Sequence, residues 1–425
     1  MEAALQEVPD LDLAFAVELS EAVICLAVST HHVAVGTVDD NVIVLDRESG
    51  QVLHTLAGHA GGTNSLAFCK GGLLFTAGED GKATLWNVAA GGAMFSAFDV
   101  EGTGADRTTD GHTVSHVAVS RNGRQVACAA GRTVHLFDLQ ADNLEAARQV
   151  YPDVASTVED LKFTHNGLLI AACYGGITYW SPDVEVPGLE LPYSGAVLAA
   201  DMAKGMKWFV AGCYDSTVHI WHLPAGTRVI DGGLQVEELS CAGYESKVTL
   251  CHFDKQGQYL ASSGGRRCTV WDFNAGGPAG SVPTCTLGHE KMITCQAWQP
   301  DASGSLVTGS EDGRALVYDV RQLTAGKPNL CIPKLMAEAH GDAVTQVGWG
   351  TGGCIYTGHM SGHVRLWKPP ATTTHDSEAQ VAASAQSEPG EPSPDAATSN
   401  GASSQPKPAS RKKKKKPGKN SYAHR

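Results

Sequence analysis

The sequence predicts an all-β fold, a closed ring of four-stranded blades with a disordered C-terminal tail, and three observations point to it. First, one segment recurs eight times, each copy closing on a large apolar residue: Leu45, Trp86, Phe137, Trp180, Trp221, Trp271, Tyr318 and Trp367. These lie 41 to 51 residues apart, 46 on average. Second, each copy holds three short runs that alternate apolar and polar residues between tight turns, with room for a fourth in the variable stretch, as half-buried strands require. Third, only 18% of the 425 residues are charged and 48 are glycine, against roughly 25% charged and ~7% Gly in average domains. Low charge with high glycine suits a turn-rich β protein and argues against coiled coils and helical arrays.

Each element follows in order along the chain. A lone four-stranded blade leaves both faces apolar, so blades must stack radially, and closing the ring protects the strand edges. The alternating stretch Leu11 to Glu18 precedes the first full unit. It is expected to supply the outer strand of the last blade, since nothing strand-like follows Trp367. Eight units then give eight blades, or seven if a degenerate unit such as the third or fourth is irregular.

The runs Gly309 to Asp319 and Val270-Trp271-Asp272 resemble WD40 repeats, and Leu56-Ala57-Gly58-His59 and Leu287-Gly288-His289 resemble the Gly-His element that opens them. The resemblance covers residues 1–368 and implies a WD40 β-propeller. It also implies a set of hydrogen-bonded side chains: a His before the first strand, a Thr or Ser on the second, an Asp in the next turn, and the Trp. His59, Thr76, Asp80 and Trp86 match this set. His289, Thr308 and Asp312 with Tyr318 match it in part, as do His340, Thr357 and Ser361 with Trp367. Asp39 and Asp215 fill the turn position of their units, and Trp221 and Trp271 the closing position. The third, fourth and sixth units have Gly131, Gly175 and Gly265 near the turn instead of Asp, and are expected to be looser or packed differently.

The same resemblance places the residues before the turn Asp, and those opening the first strand, on one rim of the ring. These are Glu79, Tyr214 and Glu311, with Tyr174 and Met360 at equivalent turns, and Lys247, Met292 and Asp342 at strand openings. Tyr174, Tyr214 and Lys247 come from three consecutive units and form the candidate partner-binding patch. Tyrosine suits such a patch because it contributes much contact area at little rotamer entropy.

Other chemistry is excluded on the residues. The 12 cysteines are scattered without a C-x-x-C pair, mostly within apolar runs, which favours reduced, buried thiols over disulfides or zinc ligands. No phosphate-binding loop, nucleophile elbow, H-E-x-x-H or EF-hand spacing occurs. His31-His32 reads as an exposed turn, and Gly264-Gly265 and Gly352-Gly353 as β-turns. A His–Asp–hydroxyl set superficially suggests catalysis, but here it serves to satisfy buried polar groups. No enzyme, cofactor or metal is expected. No run of ~18–20 apolar residues could span a membrane, and the acidic stretch Met1 to Asp12 argues against a secretory signal.

Residues 369–425 form a second region, rich in Ala, Ser, Thr and Pro, which cannot bury enough surface to offset its ordering entropy. Five acids and no bases lie in 369–395, and nine bases and no acids in 396–425, which leaves residues 1–368 near −17 out of the chain's −13. The basic cluster 411–419 comprises Arg411, Lys412, Lys413, Lys414, Lys415, Lys416 and Lys419. It reads as a nuclear or nucleolar import signal, a nucleic-acid tether, or a solubilising tail. The expected function is a non-enzymatic scaffold binding other proteins, basic ones favoured by the acidic ring, as one propeller within a complex. The alternative is a ribosome-assembly or chromatin factor that touches nucleic acid through the tail only. The expected location is nuclear, nucleolar or cytoplasmic.

Overall fold

The structure, a computed structural model, describes residues 8–100, 113–181, 189–205, 208–223, 237–274, 278, 282–300, 304–321 and 330–370. The tail and its basic cluster lie outside them. The chain separates into two units, Met1–Pro370 and Ala371–Arg425. All described secondary structure in the first is strand, apart from one 3₁₀ turn at Thr351–Gly353. No helix among the described residues is long and apolar enough to cross a membrane.

Each unit folds as an up-and-down meander from the centre outwards. In the second unit, Thr63–Phe68 pairs with Leu73–Gly78, that with Lys82–Asn87, and that with Ala93–Asp99, all antiparallel. The inner strands neighbour one another around the ring: Val23–Val28, Thr63–Phe68, Val114–Val119, Val158–Phe163, the later half of Leu189–Met202, Leu250–Phe253, Ile293–Trp298 and Val344–Trp349, which returns to the first. Seven of these eight open with a register shift against the second strand, a bulge that bends the strand as it enters the centre.

The eight units make seven hydrogen-bonded sheets. This corrects the expectation of eight separate blades, and the irregular unit is the fourth. There Leu169–Trp180 runs as one strand through the turn at Tyr174-Gly175-Gly176. Gly176 has φ 131°, and a Cβ on it would lie 2.1 Å from the Leu191 carbonyl oxygen. Leu189–Met202 then pairs first with the fourth unit and, from Val197 on, with the fifth. With no turn between those two duties, units four and five share a six-stranded sheet. The sixth unit's sheet gains a fifth strand, because Thr284–Thr286 pairs in parallel with Leu330–Cys331.

The ring closes through the N-terminal strand. Asp12–Glu18 pairs antiparallel with His363–Lys368, Leu13 opposite Trp367 and Val17 opposite Val364. The Leu11 amide also donates to the Met336 carbonyl of the seventh unit at 2.7 Å. The core lies between blades: Val23, Val33 and Leu45 of the first unit pack with Tyr356, Val364 and Leu366 of the last, and Phe75 and Phe98 of the second with Phe137 of the third. All twelve cysteines are free thiols, and none is exposed. Because neighbouring strands within each unit are antiparallel, inner-to-second turns open on one face of the ring, here the lower. The second-to-third turns open on the upper face.

Candidate functional site

The residues of the second unit meet as a relay. Trp86 Nε1 donates to Thr76 Oγ1 at 2.9 Å, Thr76 Oγ1 lies 2.8 Å from His59 Nε2, and His59 Nδ1 lies 2.9 Å from Asp80 Oδ1. Donor counting fixes the tautomer: Nδ1–H goes to the carboxylate and Nε2 accepts the threonine hydroxyl. Desolvation pulls the His59 pKa down despite the Asp80 charge. The connectivity copies a nucleophile–base–acid triad, but Thr76 is fully buried, so no substrate carbonyl can reach its oxygen. What the relay does is satisfy buried polar groups and tie the turn to the strands. Gly78 is needed beside it, since a Cβ there would sit 2.2 Å from His59 Cγ.

The seventh unit repeats the arrangement. His289 Nδ1 lies 3.1 Å from Asp312 Oδ2 and Nε2 2.7 Å from Thr308 Oγ1. The Tyr318 hydroxyl donates instead to the Leu287 carbonyl at 3.0 Å. Burial would raise the Asp312 carboxyl, but His289 and the amides of Glu290 and Arg314 outweigh it and hold it at about 2.

In the last unit the expectation for His340 is corrected. His340 is exposed at positive φ, and the ring that meets Thr357 belongs to His359, Nε2 at 2.7 Å. Trp367 Nε1 donates to Thr357 at 2.9 Å. His359 sits where the second unit has Gly78, so its own ring fills the space a ring at His340 would have entered. Asp342, at the strand opening, accepts from Ser361 Oγ at 2.6 Å and from Arg365 Nη1 at 2.9 Å.

Other units replace the set. In the sixth, Trp271 Nε1 donates to the Tyr244 hydroxyl at 3.1 Å, which is 2.6 Å from Ser262 Oγ. In the third, which lacks the turn Asp, Thr133 donates to Asp153 at 2.9 Å. In the fourth, Trp180 stacks on Tyr151 at 4.8 Å. Asp39 accepts from Thr37 and Ser20. In the fifth, Asp215 accepts from the Tyr193 hydroxyl at 2.8 Å and from Thr217 at 2.6 Å, while Trp221 is buried nearby, its ring 6.0 Å from that of His219. Cys213, Asp215 and His219 bring donor atoms within 4.8 Å of one another. However, burial pushes the Cys213 thiol up to about 12, and His219 Nδ1 is taken by Glu238 at 2.6 Å. This trio therefore suits a hydrogen-bonded lock. Sequence reasoning missed Tyr244, Ser262, Tyr193 and His359; only His359 left a trace, a bulky residue at a position that is Gly or Ser in the fully matched units.

Several of the exposed large apolar side chains stand on the upper face. Tyr174, Tyr214 and Met360 are 59%, 65% and 63% exposed. Ala196 pairs with Tyr174, and its carbonyl accepts the Tyr214 amide at 3.0 Å, so the two tyrosines flank it. Lys247 Nζ stands 5.8 Å from the Tyr214 ring centre, close enough for a cation–π contact. Glu79 is exposed and accepts from Thr113 at 3.1 Å, and Glu311 is half-buried.

A ring of inner strands, the buried Trp86–Thr76–His59–Asp80 relay with its partial counterparts, and closure by the N-terminal strand define a WD40-repeat β-propeller, and the chain is one. Residues 50–87, 105–138, 190–222, 235–272 and 281–319 match the family described as WD domain, G-beta repeat. Over 295 residues, 66% of this chain, it is 26% identical to Telomerase protein component 1 of Rattus norvegicus, covering 10% of that protein. Over 182 residues, 40% of this chain, it is 23% identical to Ribosome biogenesis protein WDR12 homolog of Drosophila persimilis, covering 41% of it. The chain thus spans a tenth and two fifths of these relatives' lengths. Among solved structures, the C-terminal WD40 domain of Sif2 superposes with TM-score 0.65 at 13% identity, over 86% of this chain and 99% of that one. The computationally designed Ika8 protein gives 0.62 at 21%, over 84% and 100%. Both show the shared fold.

Proposed function

We propose that this chain is a non-enzymatic scaffold that holds partner proteins on the upper face of its propeller, with Tyr174, Tyr214 and Lys247 as the central contact. The observation that carries the reading is exposure: two tyrosines more than half exposed flank Ala196 on the upper face, and Lys247 stands over the ring of Tyr214. Monomeric proteins expose clustered large apolar groups chiefly where something binds. Glu79, Glu311 and Met360 extend this surface along the same face.

Lysines report on both faces, so cross-linking with mass spectrometry of partner-bound chain tests the reading. Cross-links are expected at Lys82, Lys247 and Lys291, beside the upper turns, ahead of Lys70, Lys204 and Lys255 below. Dominance of the lower set would contradict it.

The names of the two relatives, a ribosome biogenesis protein and a telomerase protein component, support a second element. In it the chain works as one propeller within a nuclear or nucleolar assembly. Residues 369–425 then act as a tail whose cluster Arg411 to Lys419 directs import or tethers the chain to nucleic acid. Neutralising Lys412 to Lys416 in a tagged chain should move it towards the cytoplasm; unchanged nuclear accumulation would remove the import role.

A further inference from the structure

Five consecutive units carry a basic side chain at one position, two residues beyond the inner strand: Lys70, Arg121, His165, Lys204 and Lys255. All belong to the turns of the lower face. Four are exposed and His165 is half-buried. They form a continuous arc. Lys70 packs on the third unit's turn, where a Cβ on Gly123 would lie 2.7 Å from its Cβ. Arg121 Nη1 donates to His165 Nε2 at 2.6 Å, and Lys204 Nζ to Gln256 Oε1 of the next turn at 3.4 Å. The positive field is felt locally: desolvation and then the charges of Arg121, Lys204 and Lys255 lower the His165 pKa.

Three of these cations and His165 border a cavity of about 510 Å³ that is also lined by Lys162, Asp201, His252 and Trp298. The carboxylates nearby are already engaged. Asp254 accepts the Gln258 and Tyr259 amides at 2.6 and 2.9 Å, Asp201 those of Met202 and Phe253 at 2.8 Å, and Asp160 pairs with Lys162 at 3.3 Å. Among the described residues none of the four cations Lys70, Arg121, Lys204 and Lys255 forms an ion pair with a carboxylate, and no exposed large apolar side chain lies in their turns or in that of His165.

We propose that this arc binds the phosphodiester backbone of a single-stranded nucleic acid. Evenly repeated cations without an apolar anchor fit a ligand of evenly repeated charge better than a protein, whose hot spots need a buried aromatic or apolar centre. A single strand can follow the rim of a ring, whereas a duplex with a persistence length of ~150 bp stays straight over such a span. The net negative charge of residues 1–368 works against polyanion binding in general, so binding here depends on the local field of the arc. This site is independent of the upper-face reading and of the tail.

Fluorescence anisotropy of the full-length protein with a labelled oligouridylate of about 20 nucleotides tests it, since such sites span ~4–16 nucleotides per binding fold. Arg121→Gln with Lys204→Gln and Lys255→Gln should weaken binding about tenfold or more at ~50 mM salt. The slope of log K against log salt should fall by about 2, near 0.7 per lost cation. A deoxyoligonucleotide of equal length should behave alike. The charge-keeping set Arg121→Lys, Lys204→Arg and Lys255→Arg should bind as wild type, which separates lost charge from lost folding. The proposal is overturned if the glutamine set keeps wild-type affinity and slope, if neutralising Lys412 to Lys416 alone removes all binding, or if polyglutamate binds the arc more tightly than the RNA.

Discussion

Thr76 carries more of the second blade than its size suggests, because its one hydroxyl accepts from Trp86 and donates to His59. Removing either end of the relay strands a buried partner. Trp86→Ala should therefore cost ~3–5 kcal/mol of stability and Asp80→Ala ~1–3 kcal/mol, both read by denaturant unfolding. Wild-type stability together with lost partner binding would show a binding site instead. His359 adds a pH dependence. Burial lowers its pKa from 6.5 to about 4. Above pH 6.5 the ring is neutral in folded and unfolded chains alike; between 6.5 and 4 only the unfolded chain takes the proton, so stability falls as pH falls. The loss by pH 4.5 is about 2.5 kcal/mol at ~1.4 per pKa unit, and His359→Gln should lack that component in melts at pH 7 and 4.5. Sequence pointed to His340, which precedes Trp367 by the same 27 residues as His59 precedes Trp86, whereas in the fold it is the His359 ring that meets Thr357 and the Asp342 carbonyl. The relay at His59 was legible because all four of its residues stood at their usual spacing.

The element that decides whether the ring is closed is the strand Asp12–Glu18. Its alternation could be read directly from Leu13, Phe15 and Val17, and so could its partner, because the last unit ends at Lys368 without an outer strand. Its register shift between Leu13 and Phe15 leaves no mark in composition. Nor does the fusion of units four and five, where Leu189–Met202 runs as one strand through Tyr193-Ser194-Gly195. Phe15 lies against Gly50, where a Cβ would come within 2.6 Å of the ring, and 6.4 Å from the Tyr356 ring. Phe15→Ala, at a half-buried site, should cost about 2 kcal/mol, below the ~3–5 of a fully buried Phe. Hydrogen exchange should then quicken in Asp12–Glu18 and His363–Lys368 together. Faster exchange in the first strand alone would mean the blade stands without it.

At the scale of the whole molecule, antiparallel meanders sort the surface into two faces of different chemistry. The upper turns present Tyr174, Tyr214 and Met360; the lower turns present the cation arc. Net charge alone pointed to basic partners, because a sum over residues 1–368 hides four cations gathered at one structural position. The relays and the closing strand hold the ring rigid, so partner contacts need little reordering on binding. The proposed scaffold reading rests on the two tyrosines serving as pre-placed anchors on that ring. The most direct measurement is the affinity of the full-length protein for a partner cross-linked to Lys247, compared with Tyr174→Ala/Tyr214→Ala, with melting followed in parallel. A loss of ~2 kcal/mol or more in binding with an unshifted melting temperature is the predicted result; equal affinity in the double variant would contradict the account.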